Sequence, residues 1–279
     1  MNDSGATARA STTAHRRWRA VWFTAGGLLT VAALLLGSLG VVSAWAVVER
    51  PFTETETSSE TYSRAAAHLD LEIERGQAHV TGNDADRVEV QRELTWSNSR
   101  PTVDETWVGD TLRVRTECTN SFPRWIAEAC SIGYSARLPR AAAADIRATT
   151  GSIDVRALDG ELTLTSMTGP ITVDDTAGSL TARTNTGDIT GSNLGSAEVD
   201  TKVSTGDTEL RFAEEPRRVS AVATTGSVTI EVPRGVDPYQ VDVHTSTGDQ
   251  RVDIAQDPRA ARFIDVRTTT GDVHVRYSS

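Results

Sequence analysis

"RTTTGDVHV", residues 267–275, places a Thr-Gly-Asp turn between two short runs in which apolar and polar residues alternate. Alternation at period two sends successive side chains to opposite faces of an extended chain. Each run therefore reads as a strand with one buried face, and the Gly between them as a corner. The arrangement recurs upstream. Taking the Gly of each Thr-Gly pair as position zero gives Gly151, Gly169, Gly187, Gly206, Gly226, Gly248 and Gly271, separated by 18, 18, 19, 20, 22 and 23 residues. A fixed spacing of this kind is the signature of a repeat array, in which a unit too small to bury its own apolar row buries it against its neighbours.

Seven residues before each Gly stand Ala144, Leu162, Leu180, Val199, Val219, Val241 and Ile264, all apolar. Two residues after come Ile153, Ile171, Ile189, Thr208, Val228, Gln250 and Val273, and four after come Val155, Val173, Gly191, Leu210, Ile230, Val252 and Val275. Glycine suits the corner because it accepts positive φ without penalty, while Asp and Ser bond their own turn backbone. Weaker glycines at Gly160, Gly178 and Gly195 mark the half-period. Consecutive hairpins would make a meander whose equivalent turns alternate between opposite edges. A solenoid instead stacks like positions in columns about 4.8 Å apart, and the uniform columns favour it. The expected fold is all-β, a parallel β-helix (β-solenoid) of 18–23-residue coils preceded by one transmembrane α-helix. A degenerate copy around Gly76, with Leu69, Leu71, Ile73, Ala78 and Val80 inward, extends the array toward the N-terminus. The segments "DRVEVQRELTWSNS", "ETWVGDTLRVRTEC" and "CSIGYSARLP" that follow read as longer strands inserted into the first coils.

Residues 20–48 contain no charge and exceed the roughly 20 residues a helix needs to cross a bilayer. Arg16, Arg17 and Arg19 flank one end, which by the positive-inside rule predicts a cytoplasmic tail over 1–19 and an extracytoplasmic remainder. A cleaved signal peptide competes, since Ala44-Trp45-Ala46 imitates a cleavage site, but the apolar run is longer than an ordinary signal core. The expected localisation is thus the cell membrane, single-pass, with the membrane itself as one partner. Residues 49–65, rich in Thr, Ser and Glu, read as a flexible linker, and 66–279 as the extracytoplasmic repeat domain. Cys118 and Cys130 fall on the outer side, where thiols are oxidised, and read as a structural disulfide. A metal site would need further ligands, and no His lies nearby.

The Thr-Gly-[Asp/Ser]-[Ile/Val] turns, the pair "GDTLRVRTEC" and "CSIGYSARLP", and the apolar segment before them resemble the bacterial "putative adhesin" family of β-strand repeat proteins, a domain of unknown function on cell envelopes. The likeness covers residues 66–279. It implies the fold and an envelope setting, and it brings no catalytic residue set that could be carried onto this chain.

Charge narrows the partners. The first fifty residues hold five Arg against Asp3 and Glu49, so the rest of the chain carries −13 of the overall −10. Nucleic acid is excluded, because phosphate binding is driven by Lys and Arg releasing counterions. Outward positions four before the turn Gly hold Arg147, Arg183, Lys202, His244 and Arg267, and those six before hold Asp145, Asp200, Asp242 and Asp265. These read as a solvated face laced by weak ion pairs, and as the candidate contact face for an envelope polymer or protein. Asp188, Asp207, Asp249 and Asp272 follow their turn glycines and read as turn caps, since the Gly-Gly-x-Gly-x-Asp spacing of calcium-binding repeats is missing. Thr150, Thr168, Thr186, Thr205, Thr225, Thr247 and Thr270 share the inward parity, so their hydroxyls are expected on turn backbone rather than in an outward ladder.

Histidines are scattered, and neither Gly-x-Ser-x-Gly nor His-Glu-x-x-His occurs, so no catalytic site and no cofactor is expected. Longer connections at 212–218, 232–239 and 255–263, stiffened by Pro233, Pro238 and Pro258, form a candidate contact edge. The functional expectation is a membrane-anchored envelope protein whose solenoid binds or scaffolds. The alternative is an envelope sensor signalling through its helix, with an envelope glycan-active enzyme third. The final coil, ending in "VHVRYSS", shows no helical cap, which predicts an open edge and end-to-end self-association.

Overall fold

The computed structural model describes residues 53–97, 99–118 and 129–278. The chain begins with β1 (Glu54–Tyr62), β2 (His68–Asn83), β3 (Val88–Trp96), β4 (Thr102–Val108), β5 (Thr111–Glu117), β6 (Cys130–Pro139) and β7 (Ala143–Arg156). The regular repeats follow as pairs around each Thr-Gly corner. They are β8 (Leu162–Thr168) and β9 (Ile171–Thr176), β10 (Leu180–Thr186) and β11 (Ile189–Leu194), and β12 (Glu198–Thr205) and β13 (Thr208–Phe212). Then come β14 (Arg218–Thr225) and β15 (Val228–Val232), β16 (Tyr239–Thr247) and β17 (Gln250–Asp253), and β18 (Arg262–Thr270) and β19 (Val273–Tyr277).

Strands before the corner pair in parallel in the order β5–β2–β7–β8–β10–β12–β14–β18–β16. Those after it pair in parallel as β6–β2–β7–β9–β11–β13–β15–β19–β17. Because β2 and β7 run unbroken through both ladders, all nineteen strands form one sheet. The sheet wraps a single core of Leu, Ile, Val and Ala from both ladders. This corrects the expected parallel β-helix: the described chain is a nearly closed parallel barrel of 13 strands rather than a clear solenoid.

Coil order departs from chain order as well. The last coil, β18–β19, inserts between β14–β15 and β16–β17. The inward residues give the reason. Ile264, Val266, Val273 and Val275 are at most 1% exposed, whereas β17 carries Gln250 at an inward position, where burial would strand an amide. The more apolar coil occupies the interior, and the coil with Gln250 lies at the edge. The C-terminal coil is therefore covered on both sides, and the open edge expected there lies on β16 and β17 instead.

The corner explains why glycine recurs. Each corner Gly sits at φ between +137° and +145°, and a Cβ on Gly169 would lie 2.0 Å from the Gly151 carbonyl oxygen. Only glycine lets the stacked turns approach that closely. Hydroxyls three residues before the Gly close the corner: Ser166, Thr184, Thr268 and Thr245 donate to the carbonyls of Gly151, Gly169, Gly226 and Gly271 in the adjacent coil. The Thr immediately before each Gly is instead exposed, contrary to the parity expectation, because the chain is already turning there.

The expected transmembrane helix over 20–48 and the tail over 1–19 lie outside the described residues. Among the described residues there is no helix, and none long and apolar enough to cross a membrane. The membrane anchor, the single-pass topology with a cytoplasmic N-terminus and the membrane as partner rest on that segment, and no helix among the described residues supports them. What the described residues show is an all-β domain. Residues 54–62, expected within a solvated spacer, form β1, antiparallel to β3. Polar Thr and Ser are accepted there because an edge strand keeps one face in water.

Candidate interaction surfaces

Register assembles the predicted contact face. Parallel pairing sets Arg147, Thr165, Arg183, Lys202, Val222, Arg267 and His244 in one column across seven strands. Beside it runs an acidic column, Asp145, Thr163, Thr181, Asp200, Ser220, Asp265 and Asp242. Arg147 pairs with Asp145 at 2.5 Å, Arg183 with Asp200 at 3.0 Å and Arg267 with Asp265 at 3.0 Å. The arginines are about half-exposed, so such pairs contribute only about 0–1 kcal/mol each and mainly fix side-chain direction. Lys202, the only lysine of the chain, has no ion-pair partner among the described residues, and neither have His244 and Asp242.

The turn aspartates have structural work. Asp188 Oδ1 accepts the backbone N–H of Asp207 at 2.8 Å, Asp207 Oδ1 that of Ser227 at 2.7 Å, and Asp272 Oδ1 that of Asp249 at 2.8 Å. Each carboxylate thus caps the next coil. Among the described residues no three His, Cys, Asp or Glu side chains are grouped to hold a metal ion.

At the loop edge the three long connections converge on Arg262. Its guanidinium donates to the carbonyls of Glu215 at 2.9 Å and Pro216 at 3.2 Å, and to the Glu215 carboxylate at 3.1 Å. Tyr239 is buried beneath. Burial, then the Glu215 charge, push its phenol up to about 12. A cleft of about 440 Å³ opens between Arg217, Asp237, Asp257 and Arg262. The inserted coil β18–β19 makes this convergence, since it brings the loop after β17 against the loop after β13.

Sequence reading missed a polar cluster at the N-terminal end. Glu105 on β4 accepts two hydrogen bonds from Arg92 on β3, each at 2.5 Å, one from Tyr62 on β1 at 2.6 Å and one from Tyr134 on β6 at 3.1 Å. Arg92 also reaches Glu60 at 2.8 Å. The Glu105 hydrogen bonds hold the Arg92 proton more firmly than usual, while burial followed by the Glu105 charge raises the Tyr134 phenol. The cluster ties four strands into a cap over this end of the core. A signal existed, because Arg92 takes the inward parity of Val88, Val90, Leu94 and Trp96 in "VEVQRELTW". A cleft of about 450 Å³ lies nearby, lined by His79, Glu89, Gln91, Arg137 and Arg156 among others. Cys118 and Cys130 are joined by a disulfide beside Leu94, Trp96 and Ile132.

Stacked Thr-Gly corners, two parallel ladders around one aliphatic core and an antiparallel N-terminal cap define an all-β repeat domain. Residues 140–276 match the family model described as Toastrack DUF4097, which supports a place for this domain in a bacterial adhesin-like repeat-domain family. Among solved structures it is similar to a "putative adhesin" from Bacteroides fragilis NCTC 9343, with 11% identity over 80% of this chain and 97% of that one, at a TM-score of 0.50. It is also similar to a "putative cell adhesion protein" from Clostridium sporogenes ATCC 15579, with 10% identity over 81% of this chain and all of that one, at a TM-score of 0.38. The first likeness is one of fold alone. No curated protein matches the chain.

Proposed function

We propose that this chain is a non-catalytic, adhesin-like binding domain that docks an envelope protein on the outward face carrying Arg147, Arg183, Lys202, Arg267 and His244. The observation that carries the reading is the in-register column itself, and within it the adjacent Arg183 and Lys202. A ladder of stacked strands presents charges at fixed spacing on a stiff support, so a partner pays little ordering entropy on its account. Lys202, lacking a carboxylate of its own, is the group a partner carboxylate would meet. The disulfide fits an oxidising compartment. The adhesin descriptions of structures with the same fold agree with a binding role.

The test compares the native chain with an Arg183→Glu/Lys202→Glu variant against solubilised envelope proteins. Saturable retention of one protein, weakened at least about tenfold in a variant with unchanged circular dichroism, supports the reading. Equal retention by both chains ends it.

A further inference from the structure

The two ends of the stack differ. At one end β1, β3 and β4 cover the core, locked by Glu105 and Arg92. At the other, β16 pairs only with β18 and β17 only with β19, so each has one unpaired backbone edge among the described residues. Gln256 bridges the first residue of β16, Tyr239, and the cover stops there. The inward positions report the same exposure. From Ala144 and Ile146 to Ile264 and Val266, the paired inward residues of every stacked coil before the corner are at most 2% exposed. On β16 the equivalent Val241 and Val243 are only partly buried, as is Val252 on β17. The edge therefore presents unsatisfied backbone groups and aliphatic side chains together, the features by which an added strand is recognised.

Charge selects the occupant. Asp242 on this edge lies beside Asp265, whose own partner is Arg267, and has no cation of its own among the described residues. The chain beyond residue 50 carries −13, so a second copy is repelled and a basic segment attracted. We propose that the β16 edge receives an extended, basic segment of another protein as an additional strand, with aliphatic side chains over Val241 and Val243 and an Arg or Lys beside Asp242. This site lies at the β16 end of the same outward face, three strands from Lys202, and stands or falls independently of docking at Arg183 and Lys202.

A suitable probe is a labelled nine-residue peptide with the sequence of residues 262–270 carrying Asp265→Arg. The parent segment already pairs with β16 on its other edge, setting Ile264 beside Val241 and Val266 beside Val243. Fluorescence anisotropy with the full chain should show saturable binding. Asp242→Arg, an exposed change that leaves the fold intact, should weaken it at least about tenfold and reverse the preference toward the same peptide carrying Asp265→Glu. The Arg183→Glu/Lys202→Glu variant should bind the probe as the native chain does. Absence of binding, or binding indifferent to Asp242→Arg, overturns the proposal. So does sedimentation showing a dimer abolished by Asp242→Arg, since the occupant would then be a second copy.

Discussion

The phenol of Tyr134 donates to Glu105 Oε1 across 3.1 Å, joining β6 to β4 at a carboxylate that also receives Arg92 and Tyr62. Only 9% of the Glu105 side chain is exposed, so the charge is compensated by protein groups rather than water. Removing one member of such a pair leaves the other charge stranded, at a cost of about 3–5 kcal/mol when fully buried. Arg92 retains 18% exposure, which lowers the figure. Glu105→Ala is expected to destabilise the chain by about 2–4 kcal/mol in urea unfolding, and Glu60→Ala, at the exposed end of the network, by far less.

Alkaline stability follows from the same cluster. Burial raises the Tyr134 phenol above its ordinary value, so the folded state holds this proton more tightly than the unfolded one. The stabilisation is fully present below the unfolded value near about 10 and is lost as pH rises above it. Unfolding followed from pH 8 to 11 should show stability falling above about 10, with a shallower fall in Tyr134→Phe. At the acid end the sign reverses. Arg251 and His274 hold Asp253 below the usual carboxylate range, and Arg87 and Arg137 do the same for Glu89. Their contribution is present above about pH 4 and disappears as pH falls below it.

Two glycines with positive φ provide an internal comparison. At Gly169 an added Cβ would lie 2.0 Å from backbone oxygen, whereas at Gly109, with φ +61°, it would meet nothing within 4 Å. Gly109→Ala should therefore cost only the left-handed penalty of about 1–2 kcal/mol. Gly169→Ala must also push two coils apart and should cost more than about 3 kcal/mol or prevent folding. Thermal melts of the two variants decide whether stacking, rather than φ alone, demands glycine at the corner.

Cys118 and Cys130 are 12 residues apart and join the end of β5 to the start of β6. Closing so short a loop contributes about 2–3 kcal/mol by restricting the unfolded chain. A Cys118→Ala/Cys130→Ala variant should lose about that amount in equilibrium unfolding while keeping its β-sheet circular dichroism, because the main core lies away from the bridge.

Much of the inward face was legible because period-two alternation is a local rule. Leu162, Leu180, Val219 and Ile264 were identifiable one strand at a time, and all four are buried. Gln250 was legible too, as the one amide in an inward column, but its meaning required knowing that some coil must lie at the edge. Arg92 and Glu105 were hidden for a related reason. The two residues are 13 apart in sequence, and their partners come from β1, β3, β4 and β6, which only the fold brings together.

The sequence by itself determined the corner, the strand periodicity and the inward columns, because each follows from φ preference and side-chain alternation within about twenty residues. Tertiary structure decided which coil lies beside which, that β2 and β7 run through both ladders, and that Glu105 gathers Arg92, Tyr62 and Tyr134. Those choices compare the burial of whole coils against one another: the Ile264 and Val273 coil excludes water where the Gln250 coil would strand a polar group, and no local preference encodes that competition.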